Sequence, residues 1–330
     1  MTNSLPDWRR RTYAALAALP LLLATVAPAT ADPVFWRFAW PNTDFATYAV
    51  PLEEIFSGGV PRDGIPPIYA PRFAPVADVE GLYKGTEPVI TVALDGTARA
   101  YPLGILMAHE IVNDTLAGRP IAVTYCPLCN SAVVFDRRLG GRTLTFGVSG
   151  MLRHSDLVMW DHETESWWQQ FTGAAIVGEL TGSELAMLPV RVESFAKFRA
   201  RFPSGEVLLN PRGGPGVNPY AGYDSSEQPF LYRGTFPAGI RPLDYVVAVG
   251  DRAWALSLLQ DRRRVEADGL VIIWEPGQNA AMDARDIHAG RDIGNVTVQR
   301  RVGGVLVDVV HDVTFAFAFH AFHPDGTIHK

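Results

Sequence analysis

Cys126 and Cys129 are the only thiols in the 330-residue chain. Pro127 and Leu128 separate them, and the strand-like run Ile121-Ala122-Val123-Thr124-Tyr125 leads into them. Two thiols at this spacing on a turn can close a small disulfide, exchange it with another protein, or grip a soft metal ion. Some chemistries are excluded at once. Haem attachment needs His directly after the second cysteine, and Asn130 stands there. A four-thiolate zinc site needs four cysteines. A thioredoxin-like pair opens a helix, whereas residues 131–135 are rich in β-formers.

A closed metal site needs further donors. His109 is the candidate third ligand, and Glu110, Asn113 and Asp114 are placed to support it from behind. The competing reading of His109 is a helix-terminal side chain facing the dipole. Two thiolates and one imidazole suit copper better than zinc, and Met107, Met151 and Met159 lie in the same half of the chain. A Cys₂His₂ zinc site would require two of His109, His154 and His162. Met159, Trp168 and Gln169 are candidate pocket residues, although aromatics on strands more often fill a core. His154-Ser155-Asp156 reads as a turn, because a triad is a matter of geometry and not of adjacency.

The elements that must position these residues are mainly strands. Residues 89–94 and 97–101 flank Asp95-Gly96, a hairpin turn pair. Pro102 is suited to open a short helix over 103–112, ended by Asn113-Asp114. Further hairpins are expected across Gly140-Gly141 and across residues 161–164. Phe195, Phe198 and Phe202 fall at helical spacing before Pro203.

Later segments echo earlier ones. Tyr125-Cys126-Pro127-Leu128-Cys129-Asn130-Ser131-Ala132 aligns with Trp274-Glu275-Pro276-Gly277-Gln278-Asn279-Ala280-Ala281, and Ala98-Arg99-Ala100 with Ala253-Trp254-Ala255. Phe195-Ala196 aligns with Phe315-Ala316. The expected fold is therefore β-rich α+β, with two related, internally duplicated halves and short helices. Its divisions are a signal peptide over 1–31, a proline- and aromatic-rich arm over 32–87, a first half over 88–210, a Gly/Pro-rich connector over 211–244 and a degenerate second half over 245–330.

Composition sets the outer limits. Apolar content of 48% with 19% charged residues fits a folded globular chain. A formal charge of −6 without a basic stripe argues against nucleic acid as a partner, and nothing points to a nucleotide cofactor. Arg9-Arg10-Arg11, an apolar run from Ala14 to Val26 and Ala29-Thr30-Ala31 form an export signal cut after Ala31, with twin-arginine and general secretory routes both open. The mature chain shows no stretch suited to span a bilayer, so it is expected to be periplasmic or secreted.

Several motifs occur together in a familiar order: Asp63-Gly64-Ile65-Pro66-Pro67, Ala100-Tyr101-Pro102-Leu103, His109-Glu110-Ile111-Val112-Asn113-Asp114, Val123-Thr124-Tyr125-Cys126-Pro127-Leu128-Cys129, Phe146-Gly147-Val148-Ser149-Gly150 and Ser155-Asp156-Leu157-Val158-Met159. In these the chain resembles the family catalogued as domain of unknown function 3179. The resemblance implies an exported bacterial or archaeal protein and carries no activity. His109, Glu110, Asn113, Asp114, Cys126, Cys129 and Gln169 match that family's motif positions, and Asn130 replaces its usual glycine. His154 is not one of its fixed positions. The expected function is an exported soluble protein with a Cys/His soft-metal site, copper preferred over zinc. The alternatives are a thiol–disulfide oxidoreductase and a disulfide-stapled binding scaffold.

Overall fold

Short β-branched runs closed by tight turns dominate the chain, and in the computed structural model they pair into five sheets of four or five strands and one two-stranded ribbon. The structure describes residues 33–216 and 218–330; the signal peptide expected over 1–31 lies outside them. The described structure is mostly β, 40% strand against 14% helix, so helices serve as connectors and not as layers. No α-helix among the described residues exceeds seven residues, and none is long and apolar enough to cross a membrane.

The sheet carrying the thiols has the order Met187–Leu188, Ser131–Asp136, Arg119–Cys126, Ile111–Leu116. A tryptophan-rich sheet runs Ile55–Ser57, Phe146–Arg153, Asp156–Asp161, Trp167–Gln169, Ala175–Val177. The third is Arg191–Ser194, Pro88–Leu94, Thr97–Pro102, Glu206–Leu208, Phe73–Pro75. The fourth is Asp312–Phe315, Tyr245–Val249, Arg252–Ala255, Thr327–His329, and the fifth Arg264–Ala267, Leu270–Glu275, Asn295–Val302, Val305–Asp308. One apolar cluster takes side chains from all five, including Val92, Tyr125, Met159, Val247 and Ile272.

This propeller-like set of five sheets overturns the expected α+β fold of two duplicated halves behind a proline-rich arm. The matched segments do occupy similar local settings: Thr97–Pro102 and Arg252–Ala255 each run into a helix, and Phe195 and Ala316 each begin one. Local likeness does not divide the molecule, because the tryptophan-rich sheet has no counterpart in the second half and takes its edge strand Ile55–Ser57 from outside both. The arm is wrong for a different reason. Ile55–Ser57 pairs with Phe146–Arg153, and Phe73–Pro75 pairs with Glu206–Leu208. Both are edge strands, the one place in a sheet where proline is tolerated. The aromatic stretch before them packs as well: the Trp40 ring lies 5.3 Å from Trp160 and 5.4 Å from Trp167, edge-on.

The expected helix over 103–112 also stops early. It spans Leu103–Leu106, and Ile111–Leu116 is a strand. Ile111 and Val112 are β-branched and favour the pleated surface. The reversal occurs at Glu110, whose φ is +56° and whose N–H donates to the Leu106 carbonyl at 2.7 Å.

Six two-residue hairpin loops have positive φ at both residues: 95–96, 117–118, 140–141, 154–155, 268–269 and 303–304. That is the turn geometry that matches strand twist. Five have glycine second; His154-Ser155 has none, with φ of +55° and +66°. Each such residue costs roughly 1 kcal/mol or more relative to glycine. The strained loop is the one that leads directly to Asp156.

Candidate functional site

Cys126 closes the strand Arg119–Cys126, and Cys129 sits in the turn before Ser131–Asp136. The turn is fixed by backbone and side chain together. The Asn130 N–H donates to the Pro127 carbonyl at 3.1 Å. Asn130 has φ +49°, which explains why glycine or asparagine suits this position. Its Oδ1 accepts from the Tyr125 hydroxyl at 2.9 Å, and its Nδ2 donates to the Val313 carbonyl at 2.6 Å. The Cys129 carbonyl accepts from the Phe315 N–H at 3.0 Å and the Thr314 hydroxyl at 2.7 Å. The fourth sheet thus clamps the turn from one side.

Both sulfurs point the other way, into the tryptophan-rich sheet. Cys126 Sγ lies 3.8 Å and Cys129 Sγ 3.5 Å from the Ser155 carbonyl oxygen. A carboxylate oxygen of Asp156 joins them, and the three donor atoms lie within 4.8 Å of one another. Asp156 is held by Gln169 Nε2 at 2.6 Å and the Phe171 N–H at 2.9 Å, both donating to Oδ2. Its Oδ1 is buried without a hydrogen-bond partner. Donors of this kind, two soft sulfurs and one hard oxygen converging, fit a divalent transition metal.

Burial dominates the electrostatics and outweighs the hydrogen bonds that favour the ionised Asp156. Burial raises the Asp156 carboxyl to about 7. Burial, then the Asp156 charge, raises Glu110 to about 8. Burial pushes both thiols up, Cys129 well above its usual range, and the neighbouring Asp156 charge adds to this. Among the described residues, no Lys, Arg or His makes an ion pair with Asp156 or Glu110. Burying ionised carboxylates unpaired costs several kcal/mol each, so the cluster either holds its protons or is neutralised by a cation.

The residues expected at the site are only partly brought together. His109 is outside the 4.8 Å group; its Nδ1 lies 2.7 Å from the Pro66 carbonyl, and its Nε2 is buried and unpartnered. Glu110 is close enough for its charge to bear on Cys126 and for Asp156 to bear on it, and its carbonyl accepts from the Tyr125 N–H at 2.8 Å. Asn113 is engaged elsewhere, exchanging two 2.8 Å bonds with the Phe146 backbone. Asp114 accepts from Arg99 at 2.8 and 2.9 Å and from the Tyr101 hydroxyl at 2.6 Å. Gln169 touches the group through Asp156. Met159 and Trp168 are buried core residues, Trp168 donating to Asp161 at 2.8 Å.

Asp156 is the donor that spacing arguments overlooked. The available signal was its place in the Ser155-Asp156 motif at a hairpin loop lacking glycine. The second omission is the segment 218–230. The Tyr223 hydroxyl donates to the Leu128 carbonyl, between the two cysteines, at 3.0 Å and accepts from the Phe230 N–H at 3.2 Å. The Ser155 hydroxyl donates to the Phe230 carbonyl at 2.5 Å. The Gly/Pro-rich connector therefore lies across the thiol turn as a strap.

A family model described as "Protein of unknown function (DUF3179)" matches residues 62–326, well over half the chain. No curated protein and no solved structure matched. The chain belongs to the DUF3179 family.

Proposed function

We propose that the chain is a metal-binding protein whose centre is built from Cys126, Cys129 and Asp156, with zinc as the favoured ion. The observation that carries this reading is the buried Asp156 Oδ1, which has no N–H or O–H partner and no protein cation in contact and faces two buried thiols. The carboxylate oxygen is a hard donor and shifts the preference from copper, which suits an all-soft set, toward zinc. Three protein donors are one fewer than a closed structural zinc site uses and equal the number in catalytic ones. A bound zinc ion would supply Lewis acidity. The chain's own contribution is orientation: Gln169 and the Phe171 N–H hold Asp156, and the Asn130 turn holds the cysteines.

The thiol-exchange alternative is weaker. Exchange needs an accessible, low-pKa thiolate. Cys126 is 2% and Cys129 0% exposed, and burial moves both pKa values the wrong way.

Export completes the proposal. Its support is the Arg-rich, apolar and small-residue succession over 1–31; intact mass of the chain recovered from the producing organism, beginning at Asp32, tests it.

The centre itself is tested by elemental analysis of untagged protein purified without chelators. Wild type should carry about one zinc per chain, and Asp156→Asn, which keeps the shape, should lose at least tenfold in affinity. Equal metal content in wild type, Asp156→Asn and Cys126→Ser would refute it.

A further inference from the structure

A cavity of about 170 Å³ adjoins the thiol turn. Its walls are apolar, with Val60, Ile65, Val148, Leu152, Leu157 and Phe230 among them. Only two side chains with hydrogen-bonding groups line it, Glu110 and Tyr220. Glu110 is 7% exposed, and its carboxyl makes no hydrogen bond to any described residue. Its oxygens are not fully enclosed by protein, so a ligand entering the cavity can bond them. Glu110 also occupies its place at φ +56°, a conformation that costs a non-glycine residue roughly 1–3 kcal/mol. The positive φ belongs to the turn that ends the 103–106 helix; what marks a ligand site is a carboxyl without a protein partner in the wall of an apolar cavity.

We propose that this cavity binds a small, mainly apolar alcohol, with its hydroxyl held between the Glu110 carboxyl and the Tyr220 hydroxyl. A hydroxyl both donates and accepts, so it serves Glu110 in either protonation state and still accepts from Tyr220. The volume sets the size. Engineered apolar cavities of about 150 Å³ admit a six-carbon ring, so the ligand has about six or seven heavy atoms. The sign of charge is set by the neighbours. Glu110 itself and Asp156, close enough for its charge to bear on Glu110, are both carboxyl groups, so an anionic head group is rejected. This inference goes beyond the metal reading, since nothing in it requires an ion at the thiol centre.

Isothermal titration of the full chain, with a chelator present throughout, provides the test. The probes are cyclohexanol and cyclohexanecarboxylate. Cyclohexanol should saturate one site per chain, and the carboxylate should bind at least tenfold more weakly. Glu110→Leu, which removes the polar group, should weaken cyclohexanol about threefold to tenfold, the value of one hydrogen bond. Tyr220→Phe is the second arm, with a smaller loss of about threefold. Val60→Phe, which fills the cavity from its rim, should abolish binding while the circular dichroism spectrum is retained. Absence of saturable heat with wild type, or equal affinity in wild type, Glu110→Leu and Tyr220→Phe, overturns the proposal. Cyclohexanol binding without zinc in the purified protein would sink only the metal centre; zinc without cyclohexanol binding would sink only the alcohol site.

Discussion

Gln169 Nε2 donates to Asp156 Oδ2 at 2.6 Å, and together with the Phe171 N–H on the same oxygen it sets which oxygen of that carboxylate is occupied and which is left without a partner. Gln169 is itself steadied by Arg153, whose guanidinium donates to Gln169 Oε1 at 3.3 Å. Supports of this kind set a ligand's orientation, and losing one costs typically 10–100-fold in metal affinity. Gln169→Leu should therefore lower zinc affinity by about that factor in a chelator-competition titration. The fold should lose only about 1–2 kcal/mol, because the Phe171 N–H still bonds Asp156. Undiminished affinity in Gln169→Leu would show that Asp156 is oriented by something else, or that it binds no ion.

The Asn130 turn separates backbone strain from side-chain bonding. Asn130→Gly keeps the positive φ at no steric cost but removes the bonds to Tyr125 and Val313. Urea denaturation should register a loss of about 1–3 kcal/mol. Asn130→Val removes the same bonds and adds the strain of a β-branched residue at φ +49°, about 1–2 kcal/mol more. Equal stability of the two variants would mean that the turn relaxes out of the left-handed region.

Burial of acids without cations gives the metal-free protein an unusual pH profile. Glu110 has an ordinary value of 4.5 and is raised to about 8 in the fold by burial and the Asp156 charge. A raised value means that the folded chain holds this proton more tightly than the unfolded chain. Its contribution to stability is complete below about 4.5 and is lost as pH rises through about 8. Asp156, raised to about 7, acts in the same direction. With a chelator present, wild type should lose stability between pH 5 and pH 8. Glu110→Gln should lose about 2–4 kcal/mol less over that interval, given ~1.4 kcal/mol per pKa unit and incomplete desolvation. Parallel urea midpoints for the two proteins across this range would contradict the assignment of a buried, ionisable Glu110.

Much of the local structure was legible because it depends on neighbours in sequence. Asp95-Gly96 marked its hairpin, the run before Cys126 marked its strand, and Phe195 and Phe198 marked the buried face of Phe195–Arg201. What failed depended on partners far along the chain. Phe73–Pro75 looks like loose proline-rich chain until Glu206–Leu208 is there to pair with it. His109 and Glu110 fall on a helix if Ile111 and Val112 are counted by helical spacing, yet those two residues pair with Thr124 and Val123. Asp156 was visible as a motif residue, but its approach to thiols thirty residues away needs two sheets to meet, which no spacing rule encodes. The family model ties residues 62–326 together without assigning any of them a task.

The strap over the thiol turn makes a kinetic prediction. Cys129 is fully buried, so a thiol reagent reaches it only when structure opens locally. The segment around Tyr223 covers the turn and is tied to it through the Leu128 carbonyl at 3.0 Å. Tyr223→Phe removes this bond and the one accepted from Phe230 while keeping the ring that packs on Phe315 at 6.0 Å. Only the bond to Leu128 ties the segment to the turn, and losing its contribution of about 0.5–1.5 kcal/mol raises the open population about twofold to twelvefold. In metal-free protein, the rate of cysteine labelling by an aromatic disulfide reagent should rise by that factor, with the global urea midpoint moved little. If labelling of wild type and Tyr223→Phe proceeds at one common rate that follows global stability, the cysteines are reached only by complete unfolding, and residues 218–230 are not what shields them.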